Sequence, residues 1–489
     1  MPTLLRSLIT LLAVGLTAHA DPTVPLELGD RRELFVDSFL IAQLDNVSLQ
    51  LAKPQRAEVV LKFDQPWEYA SGFVTVLQDG GTYRLYHRGG SRDSSGKYDD
   101  SAEVTAYAES RDGIHWEKPN LDLPARDRTK GGNIILGAGQ YRVSHNFSPM
   151  IDGRTGVPPE ERFKAVGGKG PTGKPGGLYR YVSGDGIHWK LHSAEPLFVG
   201  YALDSLNVLT WLPQEQCYAV YLRTWSEGGT PEQPKFKGIR TISRSTSKDF
   251  VHWTKPEAMT FGDAPLEHLY TNNTQPYFRA PHLLVALPFR YWPDRQVYSN
   301  EQQKAWNVSP TQMKGLTDAV FMTSRGGTRY DRTFLESFIR PGLDERAWHA
   351  RETQPSNGIV QTGPCEMSFY VINHYTLPSA HLTRYVLRLD GFASAHAGYT
   401  PGTLLTKPFT FSGAQLTLNF STSAAGNILV EILDENQQVL ATSIGLIGDE
   451  IERVVTWKPD FHLASLAGKP IQLRFTLKDA DLYALRFVP

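Results

Sequence analysis

Short runs of apolar residues that alternate with polar ones recur along most of the chain, as in Val104–Glu109 and Ala319–Thr323. An alternation with a period of two places every second side chain on the same face, which is typical of β-strands. No long amphipathic helical pattern competes with these runs. The pattern therefore predicts an all-β protein.

A seven-residue motif follows four of these runs and sets their order along the chain. The copies start about 64 to 77 residues apart and are Ser110-Arg-Asp-Gly-Ile-His-Trp116, Ser183-Gly-Asp-Gly-Ile-His-Trp189, Ser247-Lys-Asp-Phe-Val-His-Trp253 and the weaker Ser324-Arg-Gly-Gly-Thr-Arg-Tyr330. An Asp-Gly pair suits a tight turn that needs positive φ. Each copy therefore predicts a hairpin that joins the last two strands of a four-stranded unit, with the closing aromatic residue packed on its neighbour. The recurring Asp112, Asp185 and Asp249 are expected to be structural.

Repeated units of this size predict a five-bladed β-propeller over residues 21–396. The fifth unit has three strands of its own, in the region from Glu366 to Leu389. Its fourth strand is expected from the N-terminal part of the chain, where Glu33–Ile41 is unassigned. Such a closure removes an exposed sheet edge. After Ala397, short alternating strands with Gly, Asp and Asn turns predict a C-terminal β-sandwich over residues 397–489.

The first twenty residues have the features of a secretory signal peptide. Arg6 gives a small positive region, Leu8–Leu16 is apolar, and Ala18-His19-Ala20 fits a small-x-small cleavage site. The alternative is a buried N-terminal helix. The apolar stretch is too short to span a bilayer, and no other segment is apolar for long enough, so we expect a secreted or periplasmic protein without a membrane span.

Composition excludes some functions and leaves others open. The formal net charge of −1 provides no field that attracts nucleic acid or anionic lipid. Aromatic residues make up 11% of the chain, which suits an all-β core or a sugar-stacking cleft equally. Cys217 and Cys365 are either a disulfide or two separate buried thiols. No Cys/His cluster has zinc spacing, and no cofactor is predicted, although a structural cation on the propeller axis remains open.

Several segments resemble the five-bladed propeller superfamily of β-fructosidases, arabinanases and β-xylosidases, and most closely a group of secreted bacterial proteins related to the invertases. The resembling segments are Glu33–Ile41, the Ser-x-Asp-Gly-Ile-His-Trp turns, Glu267–Asn272, Pro276–Pro281, Asp318–Ser324 and Leu382–Phe392. The resemblance implies a glycoside hydrolase with acids at the start of the first three blades, facing the axis. The second of these positions has Asn146 instead of an acid, and the invertase signatures Asn-Asp-Pro, Arg-Asp-Pro and Glu-Cys are absent.

Glycoside hydrolysis needs two carboxyl groups that flank the bond, one protonated and one ionised. The candidates are the acids at blade starts, namely Asp204, Glu267, Glu68 and Glu366. Asp204 is the first choice for the base or for the stabiliser of an oxocarbenium-like charge, and Glu267 for the general acid. Glu68 is an alternative base. Each of them has a structural alternative, because an acid at a strand start often caps a turn or pairs with arginine.

Further polar and aromatic residues at the same positions are candidate substrate-binding groups. His145, Asn146, Asn207 and Asn272 suit hydrogen bonds to sugar hydroxyls, and Trp67 suits stacking on a sugar ring. Arg279 and Arg290 suit a carboxylate or sulfate on an acidic sugar. The sequence thus predicts a secreted glycoside hydrolase that acts on a poly- or oligosaccharide, and the analogy with the fold favours action from the chain end. A non-catalytic carbohydrate-binding propeller and a structural role are the alternatives.

Overall fold

The computed structural model describes residues 24–94, 98–121, 123, 132–137, 144–169, 177–458 and 461–489. Its regular structure is almost entirely β-strand. The predicted signal peptide, with Arg6, Leu8–Leu16 and Ala18–Ala20, lies outside the described residues. Within the described ranges, no helix has the length and apolar character needed to cross a membrane.

Strands in the middle of the chain form successive antiparallel sheets, which follow five N-terminal strands. These first strands are β1 (Leu26–Gly29), β2 (Glu33–Leu34), β3 (Ile41–Asp45), β4 (Ser48–Leu51) and β5 (Gln55–Lys62). The first sheet contains β6 (Gly72–Asp79), β7 (Thr82–Arg92), β8 (Tyr98–Ser110), β9 (Trp116–Glu117) and β10 (Ile134–Leu136). The second contains β11 (Ser148–Ile151), β12 (Phe163–Gly167), β13 (Tyr179–Ser183) and β14 (Lys190–Leu191). The third contains β15 (Val208–Leu212), β16 (Cys217–Trp225), β17 (Arg240–Ser247) and β18 (Glu257–Ala258).

The fourth and fifth sheets are less regular. The fourth contains β19 (Gln275–Tyr277), β20 (Ala280–Ala286) and β23 (Met322–Ser324), and a separate pair is formed by β21 (Phe289–Trp292) and β22 (Leu316–Ala319). A short helix, α1 (Asn300–Ala305), lies in the long connection between β21 and β22. The fifth contains β24 (Gln354–Pro355), β25 (Val360–Gln361), β26 (Glu366–Asn373), β27 (His381–Arg388) and, from the N-terminal part of the chain, β5. Single 3-10 turns occupy Pro159–Glu161, Pro310–Gln312, Glu345–Ala347 and Leu463–Leu466.

The C-terminal strands form a large sheet that also includes N-terminal strands. Its C-terminal members are β28 (Ala393–Ala397), β29 (Gly402–Thr406), β31 (Gln415–Leu433), β32 (Val439–Thr442), β33 (Asp449–Val454) and β34 (Gln472–Val488). In the same sheet, β2 pairs with β34, β3 with β29 and β4 with β28, while β1 pairs with β30 (Phe409–Phe411). The first and last segments of the described chain are therefore joined by β-pairing.

The strand that completes the fifth sheet is not the one expected from the sequence. An N-terminal strand does pair with β27, but this strand is β5, with Lys62 opposite His381. The expected segment, Glu33–Ile41, lies with the C-terminal strands instead: β2 pairs with β34, and Phe35 is buried in the core of that sheet. Leu34 and Val36 are buried against residues of the fourth and fifth sheets. Most side chains of β5 are exposed or half-buried, as suits an edge strand.

The repeated motif forms the predicted hairpins. In the first copy, Asp112 Oδ1 accepts hydrogen bonds from the backbone N–H groups of Ile114 and His115, both at 2.8 Å. Trp116 Nε1 donates to the carbonyl oxygen of Gly113 at 3.1 Å. The same bonds recur in the second and third copies. The motif joins β8 to β9, β13 to β14 and β17 to β18, so the hairpin prediction is confirmed for the first three copies. The weaker fourth copy is flanked instead by an isolated bridge between Thr323 and Asp331.

Each of these hairpins packs on the preceding sheet. Tyr86 OH of the first sheet donates to the carbonyl oxygen of Gly186 in the second at 3.0 Å. The first hairpin contacts the fifth sheet, because Tyr370 OH donates to the carbonyl oxygen of Gly113 at 2.6 Å. The sheets therefore follow one another in space as they do in sequence, and the last contacts the first. The two cysteines are free thiols, Cys217 buried and Cys365 exposed, so only one of the two predicted buried thiols is buried.

Candidate functional site

A histidine at the start of the second sheet lies between two carboxylates, one at the start of the third sheet and one on the first sheet. His145 precedes β11 and Asp204 precedes β15. His145 Nε2 lies 3.0 Å from Asp204 Oδ1, and its Nδ1 lies 2.9 Å from both carboxylate oxygens of Glu103 on β8. His145 and Glu103 are each 2% exposed, whereas the Asp204 side chain is 50% exposed. Asp204 is therefore the member of this chain that a ligand can reach.

The three groups hold one another in the charged form. Burial opposes the charge of each, but the neighbouring charges outweigh it. Burial would raise the pKa of Asp204, yet the hydrogen bond and charge of His145, with Arg223, hold that pKa well below its ordinary value. In the same way, His145 lowers the pKa of Glu103. Burial would lower the pKa of His145, but Glu103 and Asp204 raise it. The imidazolium thus lies between two carboxylates.

Arg88 on β7 borders this chain. Its guanidinium donates to Asn146 Oδ1 at 3.1 Å and to Tyr375 OH at 2.6 Å. It also lies over the ring of Phe73, with 4.5 Å between the Arg88 Cζ and the ring centroid. Arg88 is 7% exposed, and its Nε atom is buried without a hydrogen-bond partner among the described residues. The first and fifth sheets thereby contribute to the same cluster as the second and third.

Three more arginines surround the ring of Tyr270, which follows Glu267 in the fourth repeat. The Cζ atoms of Arg223, Arg240 and Arg351 lie 5.1, 5.4 and 5.4 Å from the ring centroid. Arg351 connects these residues to the histidine chain, because Tyr270, Tyr375 and Asp204 all lie close enough to raise its pKa against the effect of burial. We call Arg88, Glu103, His145, Asp204, Arg223, Arg240, Tyr270, Arg351 and Tyr375 the central cluster.

Strained backbone occurs at this cluster. Asn146 and Arg351 have φ values of 48° and 65°, and Phe73, under the Arg88 guanidinium, has a φ of 54°. The left-handed region costs about 1–3 kcal/mol for a residue other than glycine and is maintained only where the surrounding structure requires it. Asparagine tolerates this region well, so the packing around Arg351 and Phe73 is what holds the backbone of these two residues in place.

The predicted general acid does not join the cluster's histidine chain. Glu267 lies between two guanidinium groups, 2.9 Å from Arg290 and 2.8 Å from Arg332. Arg290 also pairs with Asp318 at 2.6 Å. Both oxygens of Glu267 are thus held by arginines, and Arg290, a predicted ligand-binding residue, is held by two carboxylates.

The other two predicted acids are also held in ion pairs. Glu68 is 1% exposed and accepts a 2.6 Å hydrogen bond from Lys118. Burial would raise its pKa, but His87, Lys118 and a backbone N–H lower it to about 2. Glu366 lies 2.7 Å from Arg384 at the start of β26, whereas the far end of that strand leads to Tyr375. Eight residues of strand separate Glu366 from the central cluster, about 25 Å.

The remaining predicted binding residues make internal hydrogen bonds. Asn207 donates to the carbonyl oxygen of Leu203 at 2.9 Å, and Asn272 to that of Tyr221 at 3.1 Å. Trp67 Nε1 donates to Asn133 Oδ1 at 3.0 Å. Arg279 pairs with Asp390 at 3.0 Å and with Glu452 at 2.8 Å, next to the C-terminal sheet. Of the predicted residues, the structure brings together His145, Asn146 and Asp204.

Sequence reasoning missed the buried partners of these three residues. Arg88, Glu103 and Arg223 interrupt otherwise apolar strand segments, and a charge in such a segment is the signal that indicates them. Arg351 lies in a connection without a motif, and nothing in its local sequence indicates it. Within the described residues, no group of three or more His, Cys, Asp or Glu side chains is arranged to hold a metal ion.

Comparisons with known proteins give short or distant similarities. No family model matches the chain. Two uncharacterised proteins, from two strains of Mycobacterium tuberculosis, are each 34% identical to it over 90 residues, which is 17% of this chain. The chain spans about 29% of the length of these curated relatives.

Solved structures similar to this chain include glycoside hydrolases. One is a family 43 arabinoxylan arabinofuranohydrolase from Bacillus subtilis, 9% identical, with a TM-score of 0.39 over 87% of this chain and 96% of its own. Another is an exo-β-1,3-galactanase from Phanerochaete chrysosporium, 10% identical, with a TM-score of 0.39 over 88% and 100%. A third, described as a glycoside hydrolase, is 11% identical, with a TM-score of 0.41 over 71% and 92%. Scores at this level do not decide what this chain does.

Proposed function

We propose that this protein is a glycoside hydrolase whose central cluster binds the sugar next to the bond to be cleaved. The observation that carries the proposal is the half-exposed carboxylate of Asp204, held by His145 at 3.0 Å with Glu103 behind it. A charged carboxylate fixed in this way, with solvent access on one side, suits the stabilisation of positive charge on a reacting sugar.

The low pKa of Asp204 decides which catalytic roles its carboxylate can take. Because the pKa of Asp204 is well below its ordinary value, the group is ionised at neutral pH. An ionised carboxylate acts as a base, as a nucleophile or as a stabiliser of an oxocarbenium-like charge, but not as the proton donor. Glu103 is too deeply buried to flank a sugar from the other side.

The proposed architecture is a five-bladed β-propeller with a β-sandwich next to it. The five successive sheets, their hairpin contacts and the pairing of β5 with β27 support five blades closed by an N-terminal strand. In this arrangement the sandwich comprises the strands from residue 393 onwards together with those of residues 26–51. We further propose that residues 1–20 are a signal peptide that directs export of the chain.

Action at a chain end is part of the proposal. The connection that carries α1 reaches the first sheet, where Tyr69 and Arg92 share a cavity of about 580 Å³ with Lys304 and Met313. Tyr69 lies on the side of the central cluster, because its ring centroid is 6.3 Å from that of Tyr98, and the Cζ of Arg88 lies 5.6 Å from the Tyr98 ring centroid. This connection crosses from the fourth sheet to the first and would narrow the entrance to the central cluster. A narrow entrance favours trimming of chain ends over cleavage of an internal bond.

A second candidate function is carbohydrate binding without cleavage. It is favoured by the ion pairs of Glu68, Glu267 and Glu366, because an acid that is held by lysine or arginine is not free to donate a proton to a leaving group. Asn146, in place of an acid at the start of the second sheet, favours it too. The two candidates differ in a single measurable quantity, the turnover of a bound sugar.

The test is a screen of the purified protein against a panel of oligosaccharides, with the products separated by chromatography. The screen is repeated with Asp204→Asn and with the control Asp249→Asn. Both aspartates bond to a histidine and both side chains are 50% exposed, but Asp249 lies in a hairpin turn. We expect Asp204→Asn to lower turnover at least about a thousandfold, within the range of lost transition-state stabilisation, and Asp249→Asn to keep it.

The outcomes separate the candidates. Turnover that survives in Asp204→Asn contradicts the proposed role of Asp204. Binding of an oligosaccharide by the native protein without any product, over long incubation and across the pH range, would support the binding function instead.

A further inference from the structure

Among the residues that the structure describes, the arginines of the central cluster have no carboxylate within ion-pair distance. Arg223 is 6% exposed, and its Nε donates to the carbonyl oxygen of Ala202 at 3.2 Å. The Nε atoms of Arg88 and Arg240 are buried without any partner in the described part of the chain. Within that part, no carboxylate oxygen lies within 4.0 Å of the guanidinium nitrogens of Arg88, Arg223, Arg240 or Arg351.

Several other buried arginines in this fold are neutralised. Arg290, Arg332 and Arg384 are each 11% exposed or less, and each lies 2.6–2.8 Å from a carboxylate. Arg180, which is 8% exposed, instead donates to the backbone carbonyl oxygen of Phe250 at 2.8 Å. Buried charges in proteins are normally paired, because an unpaired charge loses its hydration without compensation. The central cluster differs from these sites because it gathers four guanidinium groups that have no carboxylate partner among the described residues.

The cluster carries an excess of positive charge. Among the described residues, four arginines and His145 face two carboxylates, Glu103 and Asp204, and both of these are already bonded to His145. The repulsion is visible at Arg240, where burial and the charges of Arg223 and Arg351 lower the pKa of the guanidinium. A ligand that brings negative charge would relieve this repulsion.

We propose that the ligand of the central cluster is an acidic carbohydrate, whose carboxylate or sulfate is bound by Arg223, Arg240 and Arg351 around Tyr270. The inference rests on the proposed carbohydrate function and adds the charge of the substrate. Guanidinium groups bind such oxyanions through paired N–H donors. Asp204, on the other side of the cluster, remains free to face the sugar ring.

Binding is measured by calorimetry with the Asp204→Asn protein, so that turnover does not consume the ligand. The probes are matched pairs: galacturonate- and glucuronate-containing oligosaccharides, each beside its carboxyl-reduced form. A third arm uses sulfated galactose oligosaccharides and their desulfated forms. We expect one acidic probe to bind about 10- to 100-fold more tightly than its neutral partner, as for a lost charge-assisted hydrogen bond. The arm with the larger ratio identifies the anion as carboxylate or sulfate.

Two variants, Arg351→Gln and the control Arg154→Gln, test whether Arg351 binds the acidic group of the ligand. Arg351→Gln has the same positive φ as the native residue, so its backbone cost is unchanged. We expect it to weaken the acidic probe about 10- to 100-fold and the neutral probe little. The control is Arg154→Gln, because Arg154 lies 5.4 Å from the ring of Tyr218, as Arg351 does from Tyr270, but in another part of the fold. It should bind both probes as the parent does.

Thermal stability separates ligand binding from a structural role. If Arg351 serves the ligand and not the fold, the melting temperature of the ligand-free Arg351→Gln protein stays close to that of the parent. A lower melting temperature together with equal losses for acidic and neutral probes would overturn the proposal. So would a panel in which no acidic probe binds better than its neutral partner. Tight binding of acidic sugars without hydrolysis by the native protein would instead reject the hydrolase function and leave this inference standing.

Discussion

The two carboxylates on either side of His145 should respond in opposite ways to the same chemical change. Glu103 lies 2.9 Å from Nδ1 and Asp204 lies 3.0 Å from Nε2. Glu103→Gln and Asp204→Asn each replace a carboxylate by an amide of nearly equal size. The distances are alike, so the expected difference comes from burial alone.

The magnitudes follow from the exposure of the two groups. Glu103 and His145 are both 2% exposed, and removal of one partner from a buried ion pair costs about 3–5 kcal/mol, because the other charge is left without compensation. The Asp204 side chain is 50% exposed, so solvent screens its interaction with His145, and its loss should cost less free energy of unfolding than the loss of Glu103. Asp204→Asn should thus lose function with little loss of stability, and Glu103→Gln should lose stability first.

The pH dependence adds a second criterion. The pKa of Glu103 is lowered from 4.5, so its contribution is present above that pH and is lost as the pH falls through the lowered value. The pKa of His145 is raised from 6.5, so its contribution is complete below that pH and is lost as the pH rises through the raised value. The stability difference between the native protein and Glu103→Gln should therefore be largest between pH 4.5 and 6.5.

Urea unfolding followed by tryptophan fluorescence measures these differences, at several pH values between 4 and 9. Equal destabilisation by the two variants would refute the reasoning, because burial would then not determine the cost. A difference between native protein and Glu103→Gln that grows steadily above pH 7 would refute the assignment of charge to His145.

Three further outcomes follow from the fold. Leu61→Ala, at a 6% exposed position of the closing strand, should cost about 2–5 kcal/mol, whereas Val59→Ala on the same strand, 48% exposed, should cost far less in the same urea unfolding experiment. A thiol reagent should modify Cys365 in the folded protein and reach Cys217 only after unfolding, as counted by mass spectrometry, since Cys217 is 3% exposed. Glu366→Gln should leave oligosaccharide turnover at the native level, because Glu366 pairs with Arg384 at the far end of β26 from the cluster.

The parts of the fold that could be predicted are those whose cause is local. The hairpins follow from hydrogen bonds within seven residues, such as that from the His115 backbone N–H to Asp112 Oδ1, and the motif is visible wherever it occurs. The closing strand has no such signature. It is a polar edge strand, and its partner β27 lies more than 300 residues away, so the more apolar Glu33–Ile41 was the stronger candidate by pattern. Only the three-dimensional packing assigns that apolar segment to the C-terminal sheet.

The candidate site also has a part that the sequence predicts and a part that it does not. His145, Asn146 and Asp204 could be predicted because polar residues at the starts of inner strands face the same region in a repeated fold. The same argument also selected Glu68, Glu267 and Glu366, since the sequence does not show which acids have a basic partner. Glu267 illustrates the problem, because its partner Arg332 is 65 residues away. Ion pairing between distant residues decides which acids remain available, and no local pattern encodes it.

The distribution of charge explains how a nearly neutral protein can recognise an anion. The net charge of −1 gives no long-range attraction, and this correctly excludes steering over distances beyond the Debye length of about 8 Å. The excess positive charge is instead concentrated in the central cluster, where buried groups such as Arg88 and Arg223 are poorly screened. An anionic sugar would experience this charge only after it enters the central cluster. Salt should therefore affect how long the ligand stays bound more than how fast it arrives, in contrast to an enzyme with a charged outer surface.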